Sequence, residues 1–121
     1  MGISRYLKAL LPQMKVVCAQ PVRGHYIQGL KNLEEAIVPA IYDPTRIDVQ
    51  EMIESEDAID MARRIIREEG IFAGMSSGAA MLAAARTAEK IDKGTIVVIF
   101  PDRADKYLST TMFAPYSRPE E

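Results

Sequence analysis

Gly70-Ile-Phe-Ala-Gly-Met-Ser-Ser-Gly-Ala-Ala-Met-Leu-Ala-Ala-Ala-Arg86 joins a short apolar entry to a hydroxyl-rich turn and an alanine-rich helix. The spacing predicts a helix from about Ser77 to Ile91. Ala79, Ala80, Met81, Leu82, Ala83, Ala84, Ala85 and Ala88 leave it little polar surface before Arg86. A helix apolar nearly all round is buried on more than one side, and small alanines let a sheet or another helix come close. The turn Gly74-Met-Ser-Ser-Gly78 places two hydroxyls where the first N–H groups lack intrahelical partners and the dipole is weakly positive. Ser76 or Ser77 as a plain helix cap is the default reading. A ligand's acceptor atoms received at the same terminus is the alternative.

Outward from this stretch the pattern is that of an α/β domain. Downstream, Asp92-Lys93-Gly94 reads as a turn and Thr95-Ile-Val-Val-Ile-Phe100 as a buried strand, with Pro101-Asp102-Arg103 at its carboxyl end. Upstream, Ser55 is the expected N-cap of an amphipathic helix. Glu56 and Asp57 lie in its first turn, Ala58, Ile59, Ala62, Ile65 and Ile66 recur at helical spacing, and Gly70 closes it. Ile47 to Ile53 reads as a short strand leading into that helix. Lys15 to Gln20 is a β run whose apolar character suits cover on both faces. Ile3 to Leu11 reads as a helix with Ile3, Leu7 and Leu10 or Leu11 on one side, ended by Pro12. Between Pro21 and Pro44 a long loop contains His25-Tyr-Ile-Gln-Gly-Leu30; long loops in compact domains are more often functional than idle. The expected architecture is one domain over residues 1–121: an open, mostly parallel sheet with flanking helices, and a loose tail at 114–121. Ligands of such sheets bind beyond the strands' carboxyl ends, where the Ser76 turn and the loop after Phe100 meet.

Composition removes several function classes. A hydrophobic content of 48% argues against wholesale disorder, and a net charge of -2 gives no case for a nucleic-acid partner. Arg63, Arg64 and Arg67, followed by Glu68 and Glu69, read as a solvated helix face. Cys18 is the only cysteine, which excludes an intrachain disulfide and a multi-cysteine zinc site; its apolar run suits a small buried thiol. His25 is the only histidine and reads as a surface or hydrogen-bonding group rather than a metal ligand. No apolar run approaches membrane-spanning length and no signal-peptide layout is seen, so the chain reads as cytoplasmic.

Two runs carry a family likeness: Glu69-Gly-Ile-Phe-Ala-Gly-Met-Ser-Ser-Gly-Ala-Ala80 and Ile96-Val-Val-Ile-Phe-Pro-Asp-Arg-Ala-Asp-Lys-Tyr-Leu-Ser-Thr110. With Met1-Gly-Ile-Ser-Arg-Tyr-Leu7 and His25-Tyr-Ile-Gln-Gly-Leu-Lys31, in that order, they resemble cysteine synthase (O-acetylserine sulfhydrylase), of the fold-type II pyridoxal-phosphate enzymes. The likeness covers essentially the whole chain but only the C-terminal part of such an enzyme. It implies an α/β piece of the family's large domain and the family's cofactor, pyridoxal phosphate. It also implies β-replacement forming L-cysteine from an activated serine and sulfide. The family's Schiff-base lysine stands in a Ser-x-Lys-Asp-Arg context; Lys8, Lys15, Lys31, Lys90, Lys93 and Lys106 all lack it. No catalytic residue is therefore carried over.

Residue by residue, the resemblance implies that Ser76 meets the pyridine nitrogen, with Pro101 and Asp102 near that end of the ring. Gln28 and Gly29 match a loop lining the substrate side. Ala104 replaces a glycine usual in the motif. The expectation is a chain inactive alone, associating as a homo-oligomer or with a complementary N-terminal polypeptide. A non-catalytic interaction module derived from the same family is the alternative. A phosphate- or nucleotide-binding domain has little support, because no glycine-rich loop of the required kind precedes the helix.

Overall fold

The computed structural model describes residues 1–116. Helix α1 (Gly2–Leu10) is followed by strand β1 (Val17–Pro21), a long connection, strand β2 (Val49–Ile53), and helices α2 (Ser55–Glu69) and α3 (Met75–Glu89). The strands pair in parallel, Val17 opposite Val49 through Pro21 opposite Ile53. This is the expected α/β, parallel arrangement with flanking helices.

The core lies where α3 meets both α2 and the sheet. Ile53, Ala58, Ala62, Ala79 and Ala83 are almost wholly buried, so the alanine run does bring its backbone close to its neighbours. Gly70 ends α2 in the left-handed conformation, φ 68°, donating its N–H to the Ile66 carbonyl. The long connection is pinned by polar groups that composition did not single out. Buried Asn32 donates to the Pro21 carbonyl (2.9 Å) and accepts from the Glu34 N–H (2.8 Å), while Ile27 is sunk into the core.

Several expectations need correction. Ser55 is the first residue of α2, not its cap; Glu54 holds the cap position without a side-chain bond. The Ser55 N–H donates instead to Nδ1 of His25 (3.2 Å), so the lone histidine caps the helix from a distant loop. Arg63 is not part of a solvated face. Its guanidinium donates to the carbonyls of Met112 (2.8 Å) and Thr111 (2.7 Å), holding the last described segment against α2, whereas Arg64 does face water in a pair with Glu68. Of the expected apolar side of α1 only Leu7 is partly buried; Ile3 and Leu10 are more than half exposed. Ala114–Tyr116 form a 3₁₀ turn, and the rest of the expected tail lies outside the described residues. Cys18 is only half-buried, and that burial pushes its thiol up.

The largest difference concerns residues 95–100. They form no strand, and no backbone hydrogen bond joins them to any other described residue. The only described sheet is the β1–β2 pair. A six-residue apolar run with no neighbouring strand cannot form a ladder, whatever its β propensity.

The N-terminal region is tied to the sheet by Asp48. One of its oxygens accepts from Lys8 Nζ (2.6 Å) and from the Val16 N–H (2.7 Å). Those bonds hold its carboxyl below the usual range, the Lys8 contact contributing most. A carboxylate with a depressed folded value contributes stability above its unfolded value, about 4, and loses it as pH falls through the folded one. Asp48→Asn is therefore expected to unfold more readily than the parent at pH 7 in urea. The difference should vanish as the pH drops below the carboxylate range.

Candidate functional site

Helix α3 begins at Met75, with Gly74 as N-cap and no side-chain cap. Neither serine caps it; both stand inside its first turn and both are buried, Ser76 at 4% exposure and Ser77 at 0%. The capping reading is thus overturned. The turn is held instead by the segment after Phe100. Ala73 and Arg103 form an antiparallel bridge, the Ala104 N–H donates to the Phe72 carbonyl (3.0 Å), and the Gly74 N–H donates to the Asp102 carbonyl (3.3 Å). The Ser77 hydroxyl lies 3.5 Å from the same carbonyl. The two stretches that looked set to meet at the carboxyl ends of the strands do meet. Ala104, in place of a glycine, is fully buried with negative φ, so alanine satisfies this turn.

Asp102 and Tyr107 close one side. The Tyr107 hydroxyl donates to Asp102 Oδ2, while Oδ1 is buried without a partner. Burial, then the bond to Asp102 and its charge, pushes the phenol up to about 12, so at neutral pH Tyr107 stays a donor. Gly74 is required here: a Cβ on it would run into the Asp102 carboxylate and approach the Tyr107 ring edge to 2.5 Å. Tyr107 carried no individual role in the sequence. Its only signal was membership of the run ending at Thr110.

Gly29 faces the same spot. Leu30 N–H to Ile27 C=O (2.9 Å) closes its turn, and its φ of 89° suits glycine. A Cβ at 29 would lie 3.7 Å from Ser76 Oγ and 3.8 Å from the Tyr107 hydroxyl, filling the space before the serine. The structure therefore brings together Ser76, Gly29, Asp102 and Tyr107. Gln28 is half-buried beside Gly29 but shows no hydrogen bond to Ser76, and Pro101 is exposed. Among the described residues the Ser76 hydroxyl has no hydrogen-bond partner, although the residue is buried. A neutral donor without a partner, at the positive end of a fifteen-residue helix, is fitted to an acceptor atom from outside the chain.

Among the described residues no group of three His, Cys, Asp or Glu is placed to hold a metal. The surface hollow lined by Asp60, Arg63, Arg64, Arg67, Pro115 and Tyr116 shares no residue with the Ser76 turn. Among the described residues no helix is long and apolar enough to cross a membrane.

Comparison with known proteins identifies the family. Residues 1–102 match the family model described as pyridoxal-phosphate dependent enzyme. Cysteine synthase B of Pseudomonas aeruginosa is 40% identical over 115 residues, covering 95% of this chain and 38% of the relative. Cysteine synthase of Aquifex aeolicus is 43% identical over 119 residues, 94% of this chain and 36% of the relative. The crystal structure of an O-ureido-L-serine synthase superposes with a TM-score of 0.86 at 33% identity, over 100% of this chain and 41% of that one. The chain thus spans between a third and two fifths of the length of the curated relatives it matches.

Proposed function

From a chain that belongs to the pyridoxal-phosphate dependent enzymes, in their cysteine-synthase-like branch, we propose that it supplies the ring-nitrogen wall of a site forming L-cysteine from an activated serine and sulfide. It does so only in company with the portion of such an enzyme that it does not span. The observation that carries this reading is the unpartnered hydroxyl of Ser76, a buried residue fronted by a glycine.

Ser76 would hold the pyridine nitrogen of pyridoxal phosphate, with Asp102 and Tyr107 behind it. That cofactor, when bound, supplies an electron sink for charge developing at the substrate α-carbon. A hydroxyl donates a hydrogen bond to a ring nitrogen without keeping it protonated, as a carboxylate would, and so tempers the sink towards elimination and replacement. Asp102 and Tyr107 fix the turn: the Asp102 carbonyl accepts from Gly74 N–H, and its carboxylate accepts from the phenol. Gly29 keeps the approach to Ser76 open, and Gln28 beside it would face the substrate side. Pro101 sets the exit of the 95–100 run immediately before Asp102.

What this chain does not offer is the amine. Lys8 and Lys90 are engaged by Asp48 and Glu51, and none of Lys8, Lys15, Lys31, Lys90, Lys93 and Lys106 stands in a Ser-x-Lys-Asp-Arg context. The chain alone, given pyridoxal phosphate and then borohydride, is expected to show no stoichiometric adduct on any single lysine by peptide mass spectrometry. Mixing it with the portion of the Aquifex aeolicus enzyme that it does not match is expected to restore sulfide-dependent cysteine formation. One fully labelled lysine in the isolated chain, or a mixed complex that binds the cofactor without making cysteine, would refute the reading.

A further inference from the structure

His25 stands shortly before the glycine that fronts Ser76, and it is tied to another element. Its Nδ1 accepts the Ser55 N–H (3.2 Å), from far along the chain. That amide belongs to the first residue of α2 and has no carbonyl behind it within the helix, so the imidazole satisfies one of the helix's open donors. Accepting at Nδ1 places the neutral ring's proton on Nε2. The Ser55 hydroxyl also lies 3.2 Å from Nδ1. The loop is gripped beside this point as well: the Val22 N–H donates to the Ile53 carbonyl and the His25 N–H to the Val22 carbonyl, both at 2.9 Å. The junction of β2 and α2 thus holds the loop at residues 22 and 25. Just beyond, Ile27 enters the core, its carbonyl accepts from Leu30, and Gly29 comes before the Ser76 hydroxyl. After that turn, buried Asn32 fixes the chain to the Pro21 carbonyl. Among the described residues no hydrogen bond ties residues 26–31 to any other element. The Gly29 turn therefore hangs between two side-chain anchors, His25 and Asn32, and of these only the histidine titrates.

We propose that His25 is a positioning residue of the Ser76 site: its neutral imidazole fastens the loop to the start of α2 and keeps Gly29 before the Ser76 hydroxyl, and taking up a proton releases it. The inference rests on the function proposed above for what Ser76 meets, and on this chain's own bonds for the rest. A second proton goes to Nδ1, the nitrogen that accepts from Ser55, and turns it into a donor. Two N–H donors then face each other, and the cation stands at the positive end of a fifteen-residue helix. The Ser55 hydroxyl can accept the new proton, but the Ser55 amide is left without a partner. Positioning is therefore held above the histidine range and lost as the pH falls through it. Charged groups near the contact do not replace it. Glu54, Glu56 and Asp57 begin α2, and Arg23 and Glu35 lie beside the turn at 22–25, where Glu35 accepts the Gly24 N–H (2.8 Å). Arg23 pairs with Glu35 (3.8 Å), and among the described residues no ion pair joins any of the five to His25. The acids soften the charge at the helix end without giving the Ser55 amide another acceptor.

The test follows the full chain by NMR between about pH 8 and 5, the span in which a histidine changes charge. His25 is the only histidine, so the ring titration has one source. At the alkaline end the imidazole is expected in the Nε2–H form. On acidification the amides of Ser55, Gln28, Gly29 and Leu30 are expected to shift with the midpoint of the His25 ring. Protection of the Leu30 amide against exchange should fall at least about fivefold. His25→Asn supplies an uncharged oxygen acceptor near the place of Nδ1. Its amides at 28–30 should stay flat across the range and keep the parent's alkaline protection. His25→Ala should show the low protection at both ends of the range with the parent's far-UV circular dichroism. A histidine that only stabilised the fold would not give a shared midpoint that asparagine abolishes. The inference is overturned if the amides at 28–30 ignore the His25 titration, if His25→Asn titrates as the parent does, or if His25→Ala keeps Leu30 protected. A second readout mixes each variant with the unmatched portion of the Aquifex aeolicus cysteine synthase. His25→Ala is expected to lower cysteine formation about tenfold, and His25→Asn to keep it further into acid than the parent. Linked titration without any cysteine formation would leave the positioning standing and refute the proposed function. Cysteine formation without linked titration would do the reverse.

Discussion

Gly78→Ala is expected to lower stability by about 3 kcal/mol or more, read as a fall in urea midpoint with little change in slope. At this point α3 crosses α2 so closely that an added methyl has no room. Its Cβ would collide with the Ala58 carbonyl and stand 2.8 Å from the Ala62 backbone nitrogen and 2.9 Å from the Ala62 methyl. Backbone atoms in mid-helix cannot swing aside as a side-chain tip does. The helices would have to separate, uncovering Ala58, Ala62 and Ala79, all at 0% exposure. In an exposed helix the same change would be stabilising, because alanine is the better helix former by about 1 kcal/mol. The sign of the effect thus reports the packing directly. Gly2, where a Cβ would meet nothing within 4 Å, provides the control; Gly2→Ala should be neutral or mildly stabilising.

That crossing also shows what could be read from sequence and what could not. Helix α2 was legible because its signals agree: acids in the first turn, an apolar stripe, and Gly70 at the end. The alanine run of α3 announced burial on several sides, and the small residues do sit against α2 and the sheet. Its start was misplaced because Ser76 and Ser77 have the composition of caps. Only tertiary contacts reveal that Gly74 takes the cap position and that the Asp102 carbonyl accepts its N–H. His25 capping α2 and Arg63 gripping the 111–112 carbonyls are long-range bonds with no periodicity to betray them. The strand expected at 95–100 failed for a different reason. Its residues fit a strand, but pairing depends on neighbours, and no described strand pairs with it. The meeting of the Ser76 turn with the Asp102 loop was foreseeable from the topology; Tyr107 was not, since its role depends on a carboxylate and a glycine brought beside it by folding.

Ser76→Ala should separate fold from function more sharply than any other change. The hydroxyl has no partner within the described chain, so its loss leaves no orphaned group behind. The isolated variant is expected to unfold within about 0.5 kcal/mol of the parent. In the complex with the complementary polypeptide, cysteine formation is expected to fall about a hundredfold, the scale seen when one donor to a reacting group is removed. Ser76→Asp tests the chemical reason. A carboxylate would sit at the helix end that favours negative charge and would keep a facing ring nitrogen protonated. A hydrogen-bonding group would then be present, yet activity should not recover. Ser76→Thr keeps the hydroxyl and should recover most of the rate, provided its extra methyl fits the space left by Gly29. If alanine, aspartate and threonine all retained the parent rate with normal stability, the hydroxyl would have no part in the chemistry, and the wall would have to be assigned to Asp102. If alanine lowered stability as much as activity, Ser76 would be a structural residue whose partner lies elsewhere.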